Sequence, residues 1–369
     1  MNILVINLDK AIFSKNSASL ERLKEYSQLV DKIFVVVWTK EKVEPIVYKD
    51  KLYVYPTNSR WRWRYYFDSM KITKNILTNH KVDLLFTQDP FETGLAGYLI
   101  SKAHKIKLQL QVHTDFLSPY FRQESIANKL RVILGKILVK KADSLRVVSQ
   151  RIKRSLVKLK VPAEKIFVLP IFTDINKITA TPVKDNLKNK YLRFNFIILM
   201  ASRLARVKNI DLAIAAMPEV LKKNPQAGLV IVGSGREEKN ILAKIKKLKL
   251  SDNVILEPWT NNLASYYKSA DLFLLTSNYE GWGMSIVEAM AVGCPVIMTD
   301  VGCAGELVKD KVTGQVIPVG DVKALSQAII KDNELRSIMK TKALAAVKQL
   351  PAKEEYLKKY KQSWELVLK

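Results

Sequence analysis

The chain is poor in the residues that bind metals or cross-link a fold: 369 residues include two cysteines, Cys294 and Cys303, and three histidines, His80, His104 and His113. None falls at a metal-binding spacing, and so few cysteines fit a reducing compartment. Long apolar runs are missing too. No stretch approaches the roughly 18 residues that a membrane-spanning helix needs. The opening MNILVINLDK holds a four-residue apolar core with no basic segment before it. That reads as a first strand and not as a secretory leader, so a soluble or peripheral cytoplasmic protein is expected. Acidic residues are the third shortage: 35 Asp and Glu stand against 61 Lys and Arg, a formal net charge of +26. Solubility requires far less, so the excess implies an anionic partner or surface.

Apolar residues are plentiful, at 48% of the chain. That is enough for two cores in a chain longer than the roughly 250–300 residues at which a single core stops growing. Candidate strands at 2–7, 32–38, 83–87, 107–112, 144–148 and 165–169 are separated by helix-like segments at 18–29, 63–77, 93–104, 125–141 and 150–159. Such alternation builds a parallel sheet with helices on both faces. Residues 43–57 read instead as an antiparallel ribbon inserted at the edge. The pattern lapses over 173–193, a polar stretch that reads as a linker, and a second series follows with strands at 195–201, 228–232, 253–256, 271–275, 295–299 and 314–319. Two doubly wound, Rossmann-like α/β domains are expected, 1–172 and 194–350, with a cleft between them and ligands at the carboxyl ends of the strands. A C-terminal helical segment, 351–369, carries Tyr356, Tyr360 and Trp364.

The most informative stretch is TSNYEGWGMSIVEAMAVGCPVIMTD, residues 276–300. An apolar strand leads into Gly281 and Gly283, and a helix-compatible segment follows. Glycines let the backbone approach a ligand, and the first free N–H groups of the helix point at it with the positive end of the macrodipole behind them, which suits a diphosphate. Glu280 and Glu288 frame the loop eight residues apart, and a carboxylate accepts sugar hydroxyls well. Taken singly, the two are equally a helix-capping acid and a solvated helix acid. Together, EGWGMSIVEAMAVGCPV resembles the E-x7-E signature of family 4 retaining glycosyltransferases. The resemblance implies the two-domain GT-B fold, with the terminal helix crossing back to the first domain. It also implies that Glu280 contacts the transferred sugar, that the Gly283, Met284 and Ser285 amides bind the diphosphate, and that Glu288 binds the ribose.

Three further elements fit that resemblance. In SRLARVKN, residues 202–209, Arg203 and Lys208 lie five apart, as in the family's R-x4-K element, whose cations grip the donor diphosphate. With no D-x-D in the chain, fixed cations would have to stabilise the leaving group; alone, the loop reads as solvated surface. The turn VGSGR places Gly233 and Gly235 at a strand end, and Pro258 and Trp259 follow the next strand, where the family reads the base. In the first domain, QVHTDF puts His113 at a strand end, where family members carry a histidine that reaches the transferred sugar. Asp115 follows it in the same turn. Asp89, in TQDPFETG, sits at a neighbouring strand end that faces the acceptor or simply caps a helix. The family's double glycine after the first strand is absent from residues 8–17, leaving Asn16 and Ser17 as its substitutes at the acceptor.

Charge is concentrated. Residues 129–165 hold twelve Lys or Arg against Asp143 and Glu164. Helical spacing puts Ile126, Leu130, Ile133, Leu134, Ile137 and Leu138 on one face and Lys129, Lys136 and Lys140 on another, while RWRWRYYF, residues 60–67, interleaves cations with aromatics. These read either as core-facing helices with solvated basic sides or as a surface docked on the inner face of an anionic membrane. The whole is read as a metal-independent, retaining glycosyltransferase needing no cofactor. It would move a hexose-type sugar from a UDP- or GDP-sugar to a glycan or polyprenyl-diphosphate-linked acceptor in cell-surface polysaccharide synthesis. The rival readings are a basic nucleic-acid-binding protein, for which no recognised motif is present, and an inactive scaffold on the same fold.

Overall fold

The computed structural model describes residues 1–14, 17–330 and 333–368. It divides into two compact units: Met1–Leu117 with Ser125–Pro170 and Ala352–Lys369, and Ser118–Glu124 with Ile171–Pro351. Each is built on one sheet.

The first sheet has eight strands: β1 (Asn2–Asn7), β2 (Lys32–Val37), β3 (Ile46–Tyr48), β4 (Leu52–Pro56), β5 (Leu84–Thr87), β6 (Lys107–Val112), β7 (Ser144–Val147) and β8 (Ile166–Val168), in the order β3-β4-β2-β1-β5-β6-β7-β8. All neighbours are parallel except β3 and β4. Helices cover both faces, which is why β1, with Ile3, Leu4, Val5 and Ile6 all fully buried, reads as a continuous apolar run and not as an alternation. The ribbon expected over 43–57 is present as the antiparallel pair β3–β4 at the sheet edge, turned by Lys49 and Asp50 at positive φ. β4 also pairs in parallel with β2, which joins the ribbon to the main sheet.

The second sheet contains β9 (Phe196–Ala201), β10 (Ala227–Val232), β11 (Val254–Glu257), β12 (Leu272–Leu275), β13 (Val296–Thr299) and β14 (Gln315–Ile317), all parallel, in the order β11-β10-β9-β12-β13-β14. Chain direction across this sheet reverses between β9 and β12, and a ligand crevice forms at such a switch point. The stretch 173–193, read as a linker, instead lies on the second unit in two short helices, Ile175–Ala180 and Leu187–Lys190. Leu187 is fully buried, its amide donates to Ser269 Oγ, and the Lys184 amide donates to Ser265 Oγ.

The terminal helix Lys353–Leu368 belongs to the first unit, with Tyr356, Tyr360 and Trp364 buried. Tyr360 stacks on Tyr26 at 4.3 Å, and Gln109 Nε2 donates to Ser363 O at 2.7 Å. Among the described residues no helix is long and apolar enough to cross a membrane.

Candidate donor-binding site

The loops after β9 and β12 are stitched together. Lys208 and Glu280 form an ion pair with side chains 19% and 14% exposed. Ser277 Oγ donates to the same Glu280 oxygen at 2.7 Å. Behind the pair, Thr276 Oγ1 donates to the Lys208 and Asn209 carbonyls at 2.9 and 3.0 Å, and the Asn278 amide donates to Val207 O at 2.8 Å. Asn209 takes the left-handed conformation at φ 43°, and its Nδ2 donates to Asn278 Oδ1. Arg203 remains exposed on the same loop, its charge lowering the pKa of Tyr279 against the larger upward effect of burial.

Directly beyond Glu280 the chain turns into the helix Met284–Ala291. Gly283, at φ 101°, starts it, and no side chain caps it. The Ile286 amide already donates to Gly283 O, so Met284 and Ser285 offer the first amides outside the helical ladder. Gly281, like Gly283, is buried here. A small indentation opens among Ser202, Lys208, Thr276, Ser277 and Ser285. Gly302 supports the loop from below. A Cβ there would lie 2.4 Å from Trp282 O and 3.0 Å from Glu280 Cβ, so Gly302→Ala is expected to displace Glu280 and lower donor affinity at least about tenfold, the scale of a lost charge-assisted hydrogen bond, as calorimetry would register.

Glu288 sits one turn into the helix, where its Oε2 accepts from Tyr267 Oη at 2.9 Å. Burial pushes its carboxyl above the ordinary range, and the Tyr267 hydroxyl partly opposes that. Gly233 and Gly235 pack against the cationic loop: Cβ atoms there would lie 2.0 Å from Ser202 O and 2.3 Å from Leu204 O. Pro258 and Trp259 follow β11, Trp259 being 51% exposed. Sequence reasoning missed Thr276, Ser277, Asn209, Asn278 and Tyr267, none of which stands out in a single sequence.

In the first unit, His113 directly follows β6. Gln111 Oε1 accepts from Arg146 Nη1 at 3.1 Å while Gln111 Nε2 donates to Tyr360 Oη at 2.8 Å. The remaining contact, His113 Nε2 to Gln111 Oε1 at 3.1 Å, therefore requires the proton on Nε2 and leaves Nδ1 as an acceptor. Burial and then the Arg146 and Arg22 charges lower the His113 pKa from 6.5 to about 3. A base held below its unfolded pKa leaves the folded state with fewer protons in between, so the contribution is complete above about 6.5 and is lost as pH falls toward 3. Wild type is expected to lose stability in that window more steeply than His113→Gln, as denaturant titrations at stepped pH would record. Arg146, only 2% exposed, was missed; it lies 4.4 Å from the Tyr360 ring and donates to Tyr356 Oη and Leu169 O.

The acceptor candidates fare differently. Asp89 spends both oxygens on its own turn, accepting from the Phe91 amide and from Thr93 Oγ1. Ser17 caps the helix Ala18–Ser27 by accepting from the Leu20 amide. Asp115 is partly buried beside His113. Asn16 lies outside the described residues.

Two Rossmann-like sheets, one with paired cations and carboxylates at its switch point, define the GT-B class. Comparison with known proteins agrees: residues 27–177 match the model "Glycosyltransferase Family 4" and residues 183–345 match "Glycosyl transferases group 1". The chain belongs to glycosyltransferase family 4. It is 41% identical over 133 residues to the poly(glycerol-phosphate) alpha-glucosyltransferase of Bacillus subtilis, covering 36% of this chain and 20% of that protein. It is 27% identical to the alpha-monoglucosyldiacylglycerol synthase of Streptococcus pneumoniae, covering 69% and 59%. The chain thus spans about a fifth and about three fifths of these two relatives. Among solved structures, Anabaena HepE in complex with UDP-glucose superposes with a TM-score of 0.75 at 23% identity, over 99% of this chain and 98% of that one.

Proposed function

We propose that this chain transfers a hexose from a nucleoside diphosphate sugar with retention of the anomeric configuration and without a metal ion. The observation that carries the reading is the Lys208–Glu280 pair, held by Ser277 and Thr276 over the uncapped start of the helix Met284–Ala291. In this reading the C1–oxygen bond to the diphosphate breaks, and the leaving group keeps the electron pair. Arg203, Lys208 and the Met284 and Ser285 amides receive the charge as it develops. The acceptor oxygen attacks C1 from the same face and its proton passes to the departing phosphate oxygen, so no enzyme carboxylate becomes covalently attached. Glu280 orients the sugar, Glu288 holds the ribose through the oxygen Tyr267 leaves open, and His113 Nδ1 accepts a sugar hydroxyl. Gly233 and Gly235 shape the donor pocket, and Pro258 and Trp259 border the base.

The name of the B. subtilis relative supports an alpha-linked glucose product, and that of the S. pneumoniae relative supports a lipid acceptor. HepE, of the same fold, binds UDP-glucose. We therefore put UDP-glucose first as donor, with GDP-sugars second. The acceptor is a glycan or lipid-linked glycan at the cytoplasmic face of the membrane.

A thermal-shift panel of UDP-, GDP- and ADP-sugars in EDTA tests this. A shift with one donor that Lys208→Ala abolishes is expected; no shift with any donor would sink the proposal. Glu288→Ala is expected to weaken the productive donor about tenfold to a hundredfold, the value of hydrogen bonds to a charged group, which isothermal calorimetry with UDP alone would measure.

A further inference from the structure

The helix Ile126–Lys141 has two apolar faces. Val132, Gly135, Leu138 and Val139 are buried, and Gly135 packs so closely on Phe116 and Phe91 that a Cβ would meet them at 2.9 and 3.2 Å. On the opposite side Ile126, Leu130, Ile133 and Ile137 are 76%, 63%, 58% and 52% exposed. Their spacing, i, i+4, i+7, i+11, makes one outward ridge. The six large apolar residues expected on one face are thereby divided, since Leu138 is buried on the inner side. Lys129, Lys136 and Lys140 flank the ridge and are exposed.

The helix Arg64–Asn79 repeats the pattern. Trp63 and Phe67 are each 63% exposed, and Arg60 and Arg64 stand over the Trp61 and Trp63 rings. The steps β4 to β5, β5 to β6 and β6 to β7 all move the same way across the sheet. Right-handed crossovers therefore place both helices, with Glu92–His104 between them, on one face. The acids nearby are engaged: Asp68 by Arg64 and Ser59, Glu92 by Arg131.

A solvated helix turns its polar side outward, and a nucleic-acid site would put cations at the crest. Here isoleucine and leucine form the crest, cations the slopes and aromatics the rim. A second copy of the chain would bring lysine against lysine. We propose that this face docks on an anionic phospholipid bilayer, with the ridge entering the acyl boundary and the lysines and arginines at the headgroups. The proposal stands on the surface of the first unit and does not depend on the transferase reading.

The test is co-sedimentation of the whole chain with phosphatidylcholine vesicles, with and without phosphatidylglycerol. Binding is expected only with the anionic lipid. Leu130→Ser/Ile133→Ser/Ile137→Ser is expected to lower the partition coefficient at least about tenfold, and Lys129→Gln/Lys136→Gln/Lys140→Gln about a hundredfold. The serine variant should keep the wild-type melting temperature and donor-induced shift; if it does not fold, Trp63→Ser/Phe67→Ser takes its place. Equal binding by wild type and either apolar variant overturns the proposal, as does failure of wild type to prefer anionic vesicles. DNA retention weakened by the glutamine variant alone, or a wild-type dimer in light scattering that the serine variant dissolves, overturns it in favour of the other occupant.

Discussion

Lys208→Ala is expected to lower kcat by about two to three orders of magnitude, the usual cost of removing one preorganised group from a developing oxyanion. The effect on folding should be no larger. Breaking a fully buried ion pair costs about 3–5 kcal/mol. This one costs at most about 3 kcal/mol, because both side chains are only partly buried and Glu280 keeps the Ser277 hydroxyl. Thr276→Val separates the two effects. That hydroxyl only ties the strand end to the Lys208 and Asn209 carbonyls, so its loss should cost about 1–3 kcal/mol of stability and under about tenfold in kcat. Steady-state kinetics beside thermal unfolding would show the split. Equal losses of activity in the two variants would mean that loop shape matters and the lysine charge does not.

The parts of this site legible in the sequence were those fixed by backbone chemistry. Gly283, between an apolar strand and a helix, can be read without a structure, because few other residues take its φ of 101°. Read alone as solvated surface, Arg203 and Lys208 were legible only through their resemblance to the family's R-x4-K element at a strand end. The partners were not. Thr276, Asn209 and Tyr267 are ordinary residues whose importance comes from what lies across the sheet. The ridge Ile126–Ile137 shows the limit most clearly. Periodicity revealed an apolar face, but this helix carries apolar residues on two sides, and the sequence left open whether the larger ones meet the core or a membrane. The buried side is the one with Gly135 and Asn128, since only small side chains let the helix approach Phe91 and Phe116, and the larger residues were left outside.

Trp364→Ala is expected to cost the first unit about 3–5 kcal/mol, the range for emptying a fully buried aromatic site. Trp364 is fully buried, packing on Phe86 and edge-on to Tyr26 and Tyr360. Its loss would loosen the helix that carries Tyr356 and Tyr360, and with them the hydroxyls that meet Arg146 and Gln111. Those two residues fix the His113 proton on Nε2. Weakening the helix should therefore raise the His113 pKa from about 3 toward its unfolded value, as water reaches the ring. Tyr360→Phe discriminates: it keeps the packing and removes only the oxygen that accepts from Gln111, so it should leave stability within about 1–2 kcal/mol of wild type. Histidine NMR titration beside denaturant unfolding would show the order of effects. A Trp364→Ala variant that unfolds with the wild-type midpoint would mean that the terminal helix adds little to the first unit. In that case the Arg146 cluster, and not the helix, must hold His113 in place.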